Sequence, residues 1–321
     1  MDIGEGITFQ AGITITPDPT GPKKAIFGYG YGYGGLGSTN ITNLVSDTGV
    51  VAGNSGYVGT QRQSLAAAGY GTDKALFGYG LNSSGTAVSM TNKVSNTGTV
   101  ASDTTGVAVA RWDLAAATYG TDKAIFGYGL TGSGGTNYVN DFINLVSNTG
   151  VVASFTSGVG TPRNGLAAAG YGRDKAIFGF GSPDAGYNVV STTNLVSNTG
   201  VVAGNTSTVA SGRIYVSAAT YGTDKAIFGF GADLINTTNL VSNTGVVASD
   251  TAGVGTRRYI CAAAGYGGDK AIFGYGYYPN IYVDNPSLSV TNLVSNTGVV
   301  ATDTAGVGSP RQTLAAASYS A

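Results

Sequence analysis

Three observations predict an all-β fold for this chain. A strand-forming phrase, KAIFGYG at 24–30, returns as KALFGYG (74–80), KAIFGYG (123–129), KAIFGFG (175–181 and 225–231) and KAIFGYG (270–276). Two further phrases keep step with it, one of the form LAAAxY (for example 65–70 and 166–171) and one of the form TNLVSNTGVVA (for example 193–203 and 291–301). No apolar run has the length or spacing of an ordinary helix. Self-similarity at a long period takes precedence over any local reading, because it determines the architecture.

Taken in order, each unit reads as four short apolar runs. LAAAxY is the first, closed by a Gly-Thr-Asp turn or its equivalent. KAIFGYG is the second. A segment of variable length follows, then TNLVS, an Asn-Thr-Gly or Asp-Thr-Gly turn, and VVA. Two apolar runs joined by a tight Asn/Asp/Gly turn read as a β-hairpin. Six units of four strands without helices predict a six-bladed β-propeller of four-stranded antiparallel blades. Residues 1–22 carry no LAAAxY phrase, and the sequence ends just after one, at LAAASYS (314–320). The C-terminal strand is therefore expected to pair with the N-terminal blade, closing the ring and removing free sheet edges. This divides the chain into an extended arm, 1–22, which is a possible attachment segment, and a propeller, 23–321.

The repeated side chains fit that plan. Phe27, Phe77, Phe126, Phe178, Phe228 and Phe273 share one position and are expected between blades, where full burial stabilises by roughly 1.5–3 kcal/mol per ring. The alanines suit a crowded innermost strand. Glycines in FGYG permit close backbone approach or a bulge. The one cysteine, Cys261, takes the slot of Leu65, Leu114 and Leu314, as a small buried hydrophobe.

Composition narrows the function classes. Net charge is −1 with 10% charged residues, so no general attraction to nucleic acid or acidic lipid is expected. The start, MDIGEGITFQAGITITPDPTG, lacks the basic beginning and apolar core of a signal peptide, and no stretch approaches a membrane span. With no histidine, the usual general base, most zinc sites and every histidine-containing triad are removed. Glu5 is the only glutamate. Asp73, Asp122, Asp174, Asp224 and Asp269 sit in repeated turns; the irregular carboxylates are Asp184, Asp233 and Asp284, in loops. No facing pair of the kind a glycosidase needs is nominated. Gly30, Gly32 and Gly35 match G-x-G-x-x-G, but no helix pattern follows, so a phosphate loop is not expected. The reading is of a non-enzymatic protein with no cofactor and no metal.

Two sets of residues are candidates for binding. Arg62, Arg111, Arg163, Arg213, Arg258 and Arg311 each precede the first strand of a unit and would form a ring near one mouth of a central channel. Such a ring would attract an anion; alternatively each guanidinium ties down loop carbonyls or a neighbouring Asp. The second reading is favoured, since a residue repeated in every unit usually serves the unit. The other set follows from topology. The GTDK and NTG turns are monotonous and share one face, whereas the loops of the opposite face diverge: 31–41, 81–90, 130–142, 182–192, 232–237 and 277–290. A constant frame with varied loops on one rim is the arrangement of a binding surface. Those loops supply Tyr31, Tyr33, Tyr138, Tyr187, Tyr277, Tyr278 and Tyr282, and Trp112 and Tyr259 follow two of the arginines. Tyrosines beside amides suit sugars and protein surfaces equally.

In PRNGLAAAGYGRDKAIFGFG (162–181) the order of Arg, small apolar strand, turn and Lys-x-Ile-Phe-Gly-x-Gly resembles the kelch repeat family of propeller proteins. It departs from that family in having Gly-Tyr-Gly for adjacent glycines and in lacking the late tryptophan. The phrases DKAIFGYG and TNLVSNTGVVA, with GITFQAGITITP (6–17), also resemble repeat proteins of marine tailed bacteriophages. That resemblance implies a virion-associated structural or host-recognition component, assembled in the host cytoplasm, such as a fibre or tail appendage. Its expected partners are other virion proteins, met through the arm, and a host surface glycan or protein. A scaffold or decoration protein contacting only virion proteins is the alternative, and a carbohydrate-active enzyme using loop aspartates the third.

Overall fold

The computed structural model describes residues 21, 23–107, 109–133, 136–185, 188–232, 235–278 and 287–320, with the backbone of two short strands, Ile7–Thr8 and Thr14–Ile15, paired antiparallel. Among the described residues there is no helix. The principal elements are six three-stranded antiparallel sheets, numbered here by unit. Sheet 1 joins Ala315–Ser320, Lys23–Gly28 and Thr42–Val45. Sheet 2 joins Ala66–Tyr70, Lys74–Gly78 and Thr91–Val94; sheet 3 joins Ala115–Tyr119, Lys123–Gly127 and Ile143–Val146. Sheet 4 joins Ala167–Tyr171, Lys175–Gly179 and Thr193–Val196. Sheet 5 joins Ser217–Tyr221, Lys225–Gly229 and Thr238–Val241; sheet 6 joins Ala262–Tyr266, Lys270–Gly274 and Thr291–Val294.

The expected fourth strand of each unit is not a continuous strand. VVA runs beside the third strand but touches its ladder only at isolated bridges, Val45↔Val51 and Thr42↔Ser55 in unit 1, with the equivalent two in every other unit. Between those bridges the outer segment has one residue more than its partner, which makes it bulged. The side chain of Asn43 occupies the gap, its Nδ2 donating to Ala52 O at 3.1 Å. Asn92, Asn144, Asn194, Asn239 and Asn292 do the same in their units.

Burial explains the residue choices. The middle strand is covered on both faces, so KAIFG does not alternate. The first strand alternates, and its half-buried alanines, among them Ala67, Ala116 and Ala168, line a cavity. Six apolar cores lie between successive sheets, the last between sheets 6 and 1.

FGYG builds each of those junctions. A Cβ added at Gly179 would lie 2.8 Å from the Phe228 ring of the next sheet, so only glycine lets that ring in. Phe228 then meets Phe180 edge-on, with centroids 4.9 Å apart. Tyr29, Tyr79, Tyr128, Phe180, Phe230 and Tyr275 all hold φ between 63° and 66°, a left-handed conformation costing a non-glycine residue about 1 kcal/mol or more. Each is compensated by the phenylalanine of the next sheet on one side and an arginine on the other.

Two cycles of backbone hydrogen bonds tie the sheets at the ends of their first strands. At the turn side, Gly71 N–H donates to Asp122 O, and Gly120, Gly172, Gly222, Gly267 and Ser320 donate in turn to Asp174, Asp224, Asp269, Lys23 and Asp73, at 2.7–3.1 Å. At the loop side, Asp113 N–H donates to Ser64 O, Gly165 to Asp113, Tyr215 to Gly165, Ile260 to Tyr215, Thr313 to Ile260 and Ser64 to Thr313, at 2.6–3.4 Å. Each series returns to the unit where it began.

Candidate functional site

The six arginines lie in the walls between units. Arg62, Arg111, Arg163, Arg258 and Arg311 are wholly buried and Arg213 is nearly so. Each guanidinium covers an aromatic ring of the preceding sheet: Arg62 over Tyr29, Arg111 over Tyr79, Arg163 over Tyr128, Arg213 over Phe180, Arg258 over Phe230 and Arg311 over Tyr275, at 4.2–5.1 Å. Each also donates to the gap-filling asparagine of its own unit, as Arg258 Nη2 does to Asn292 Oδ1 at 2.6 Å and Arg311 to Asn43 at 2.7 Å. Asp103, Asp250 and Asp303 extend the chain by accepting from Asn92, Asn239 and Asn292 and from the loop ahead of the arginine, for example Thr60 N–H and Oγ1. Burial lowers the pKa of all six arginines, Arg213 to about 10, which leaves them charged at neutral pH. They act as cationic staples between units, and none of them lines the cavities bordered by the first strands.

The described loop tyrosines are dispersed. Tyr31 is half-buried in a short strand bridged to Gln312, while Tyr33 and Tyr138 are exposed and in ring contact with no other aromatic among the described residues. Tyr278 is half-buried next to Tyr277. Tyr187 and Tyr282, like Asp233 and Asp284, lie outside the described residues. Asp184 serves its own loop, accepting from Ser182 Oγ at 2.9 Å and from Asn188 Nδ2.

Tyr277 alone among the described members of that set joins an aromatic cluster. Its ring meets Tyr259 edge-on at 5.3 Å, and Tyr259 stacks on Tyr215 at 6.1 Å. Tyr259 and Tyr277 are bridged backbone to backbone. This cluster sits at the loop-side mouth of the cavity, a space of about 130 Å³ bordered by Ser64, Asp113, Gly165, Tyr215, Ile260 and Thr313. Those six residues form the loop-side cycle of hydrogen bonds, and all have φ of 49–59°. Burial pushes the Asp113 carboxyl up to about 6, with the Ser64 hydroxyl pulling it part of the way back. Gln312 Oε1 is buried at this end without a partner. The mouth thus offers aromatic faces on units 5 and 6 and polar groups from units 1, 2 and 3, the combination that recognises a polar ring with apolar faces.

The sequence reading passed over Asp113, Tyr215 and Gln312. A signal for the first two was present: two residues beyond each arginine the six copies carry Ser, Asp, Gly, Tyr, Ile and Thr, no two alike within an otherwise constant phrase.

Fold and site together define a β-repeat protein with a constant frame and an individually varied mouth. No protein-family model and no curated protein matches the chain.

Proposed function

We propose that the chain is a closed six-bladed, kelch-like β-propeller and a non-enzymatic binding and structural component of a tailed-phage particle. In this reading residues 1–22 attach it to other virion proteins, and the loop face meets a host surface glycan or protein. The observation that carries the reading is the contrast between a frame repeated almost to the letter and a mouth where every copy differs and tyrosines gather. The entry of the first strand supports the division of labour: Lys23 lies in the turn-side cycle, so the arm joins at the end away from the loops. Among glycans and proteins we favour the glycan, because the linked Tyr215, Tyr259 and Tyr277 rings lie at a mouth also bordered by the polar Ser64, Asp113 and Thr313. The particle would assemble in the host cytoplasm.

The test is binding of the purified protein to an array of bacterial surface polysaccharides, set beside Tyr259→Ala and Tyr277→Ala. Binding by the parent that falls at least about tenfold in either folded variant supports the reading. Binding that ignores both substitutions moves recognition away from the mouth. No binding by the parent favours a scaffold whose loops contact only virion proteins, and measurable sugar turnover would overturn the non-enzymatic assignment.

A further inference from the structure

The opposite mouth carries a charge pattern that the repeat does not require. In units 2 to 6 the turn holds an Asp–Lys pair, with Nζ–Oδ1 distances of 2.6, 3.1, 3.3, 3.1 and 2.8 Å, so each pair is neutral. In units 4, 5 and 6 the second carboxylate oxygen is taken by Asn198, Asn243 or Asn296. Two units break the rule. Unit 1 has Lys23 where the others have aspartate, and unit 4 has Arg173 where units 2, 3, 5 and 6 have Thr or Gly. Neither cation belongs to an ion pair among the described residues, although Asp47 replaces the turn asparagine of unit 1. Arg173 reaches Asp224 only as a minor influence on a carboxyl held low chiefly by Lys225.

Both exceptional cations line one cavity of about 190 Å³ at this mouth, with Lys175, Lys270 and the hydroxyl residues Thr121 and Thr223. Among the described residues no carboxylate lines it. Units 1 and 4 are separated by two units in either direction around the cycle, so Lys23 and Arg173 approach the cavity from opposite sides. A guanidinium presents paired donors to tetrahedral oxyanions, and an ammonium adds a compact charge.

We propose that the turn-side mouth binds a free divalent oxyanion of the phosphate class, held between Lys23 and Arg173. The site is independent of whatever the loop face binds. It is tested with Lys23→Asp and Arg173→Thr, singly and combined, each introducing the residue that other units carry at that place, so that folding is preserved. Inorganic phosphate is titrated by calorimetry and by thermal melting at an ionic strength fixed with chloride. The expected result is saturable binding by the parent at millimolar phosphate or below, weakened at least about tenfold in the double variant, with unchanged melting in chloride alone. Tyr259→Ala should bind phosphate like the parent. Equal binding by parent and double variant, a melting shift that never saturates, or no heat of binding at all would each overturn the proposal.

Discussion

Replacing Arg163 by methionine isolates what one staple contributes. Its Nη1 donates to Thr192 O at 2.6 Å and Oγ1 at 2.8 Å, its Nη2 donates to Asn194 Oδ1, and its guanidinium lies 5.1 Å from the centre of the Tyr128 ring. Methionine fills the stem but leaves Asn194 Oδ1 buried without its donor, at about 1–3 kcal/mol, while Thr192 O keeps the Phe180 N–H at 3.0 Å. The lost cation–π contact adds about 0.5–2 kcal/mol. Against these stands the desolvation cost of the guanidinium, several kcal/mol, which the variant no longer bears. The net expectation is a loss of about 1–3 kcal/mol, because one partner is removed while the other stays buried. Asn194→Leu also costs stability, because Asn194 Nδ2 holds Ala203 O and Asn205 Oδ1, both at 3.0 Å. Combining the two substitutions removes donor and acceptor together, so the double variant should be more stable than the sum of singles by about 1 kcal/mol or more. Urea unfolding followed by circular dichroism and by fluorescence of Trp112, the single tryptophan, measures all three. Coincidence of the two probes checks that one transition is being compared. Arg163→Met within about 0.5 kcal/mol of the parent, or strict additivity, would refute the staple.

Two further substitutions probe a packing contact and a titration. Gly179 has ordinary backbone angles, yet an added Cβ would lie 2.8 Å from the Phe228 ring, whereas nothing lies within 4 Å of one at Gly204. Gly179→Ala should therefore cost about 1–3 kcal/mol and Gly204→Ala nothing or a slight gain; equal urea midpoints would contradict the wedge. Asp113 has a folded-state pKa of about 6, above the unfolded value of 3.8, so the fold favours its protonated form. That contribution is whole below the unfolded value and is lost as pH rises through 6. At about 1.4 kcal/mol per unit, and discounted because the mouth admits water, Asp113→Asn should exceed the parent by about 1–2 kcal/mol above pH 7 and match it below pH 4. Urea midpoints across pH decide; a difference that does not vary with pH would remove burial as the cause.

Repetition made the three continuous strands legible, because six copies of KAIFG, LAAAxY and TNLV average out the ambiguity of any one short apolar run. The outer strand was misread for a local reason. VVA has strand composition, but register depends on counting residues between bridges, and the extra residue shows only once Val45↔Val51 and Thr42↔Ser55 are both known. The arginines were legible as serving the units, though not their partners, since Arg62 and Asn92 are 30 residues apart and meet only after the sheets associate. The loop tyrosines were least legible. Their positions depend on segments that occur once, so no second copy exists to check a reading, and a tyrosine such as Tyr138 points to water while Tyr215, inside a repeated phrase, reaches the mouth.

The first strands carry a further constraint that bears on the number of units. Their fourth residues are Gly69, Thr118, Gly170, Thr220, Gly265 and Ser318, a strict alternation of glycine with a hydroxyl residue. Thr118 Oγ1 donates to Gly69 O at 2.9 Å, Thr220 to Gly170 at 2.9 Å and Ser318 to Gly265 at 2.7 Å, each crossing to the preceding sheet. A Cβ at Gly69 would stand 3.1 Å from Ser318 O and 3.2 Å from Thr118 Oγ1, so this layer has little room for side chains on neighbouring sheets. The packing unit at this depth is therefore a pair of repeats, one supplying the hydroxyl and the other the space. An odd number of repeats would place two glycines or two hydroxyl residues side by side at one junction. The first leaves a gap and a carbonyl without its donor; the second forces two side chains into the space of one. Six repeats avoid both, and Ser318, on the last strand of the chain, meets that condition where the last sheet in sequence adjoins the first.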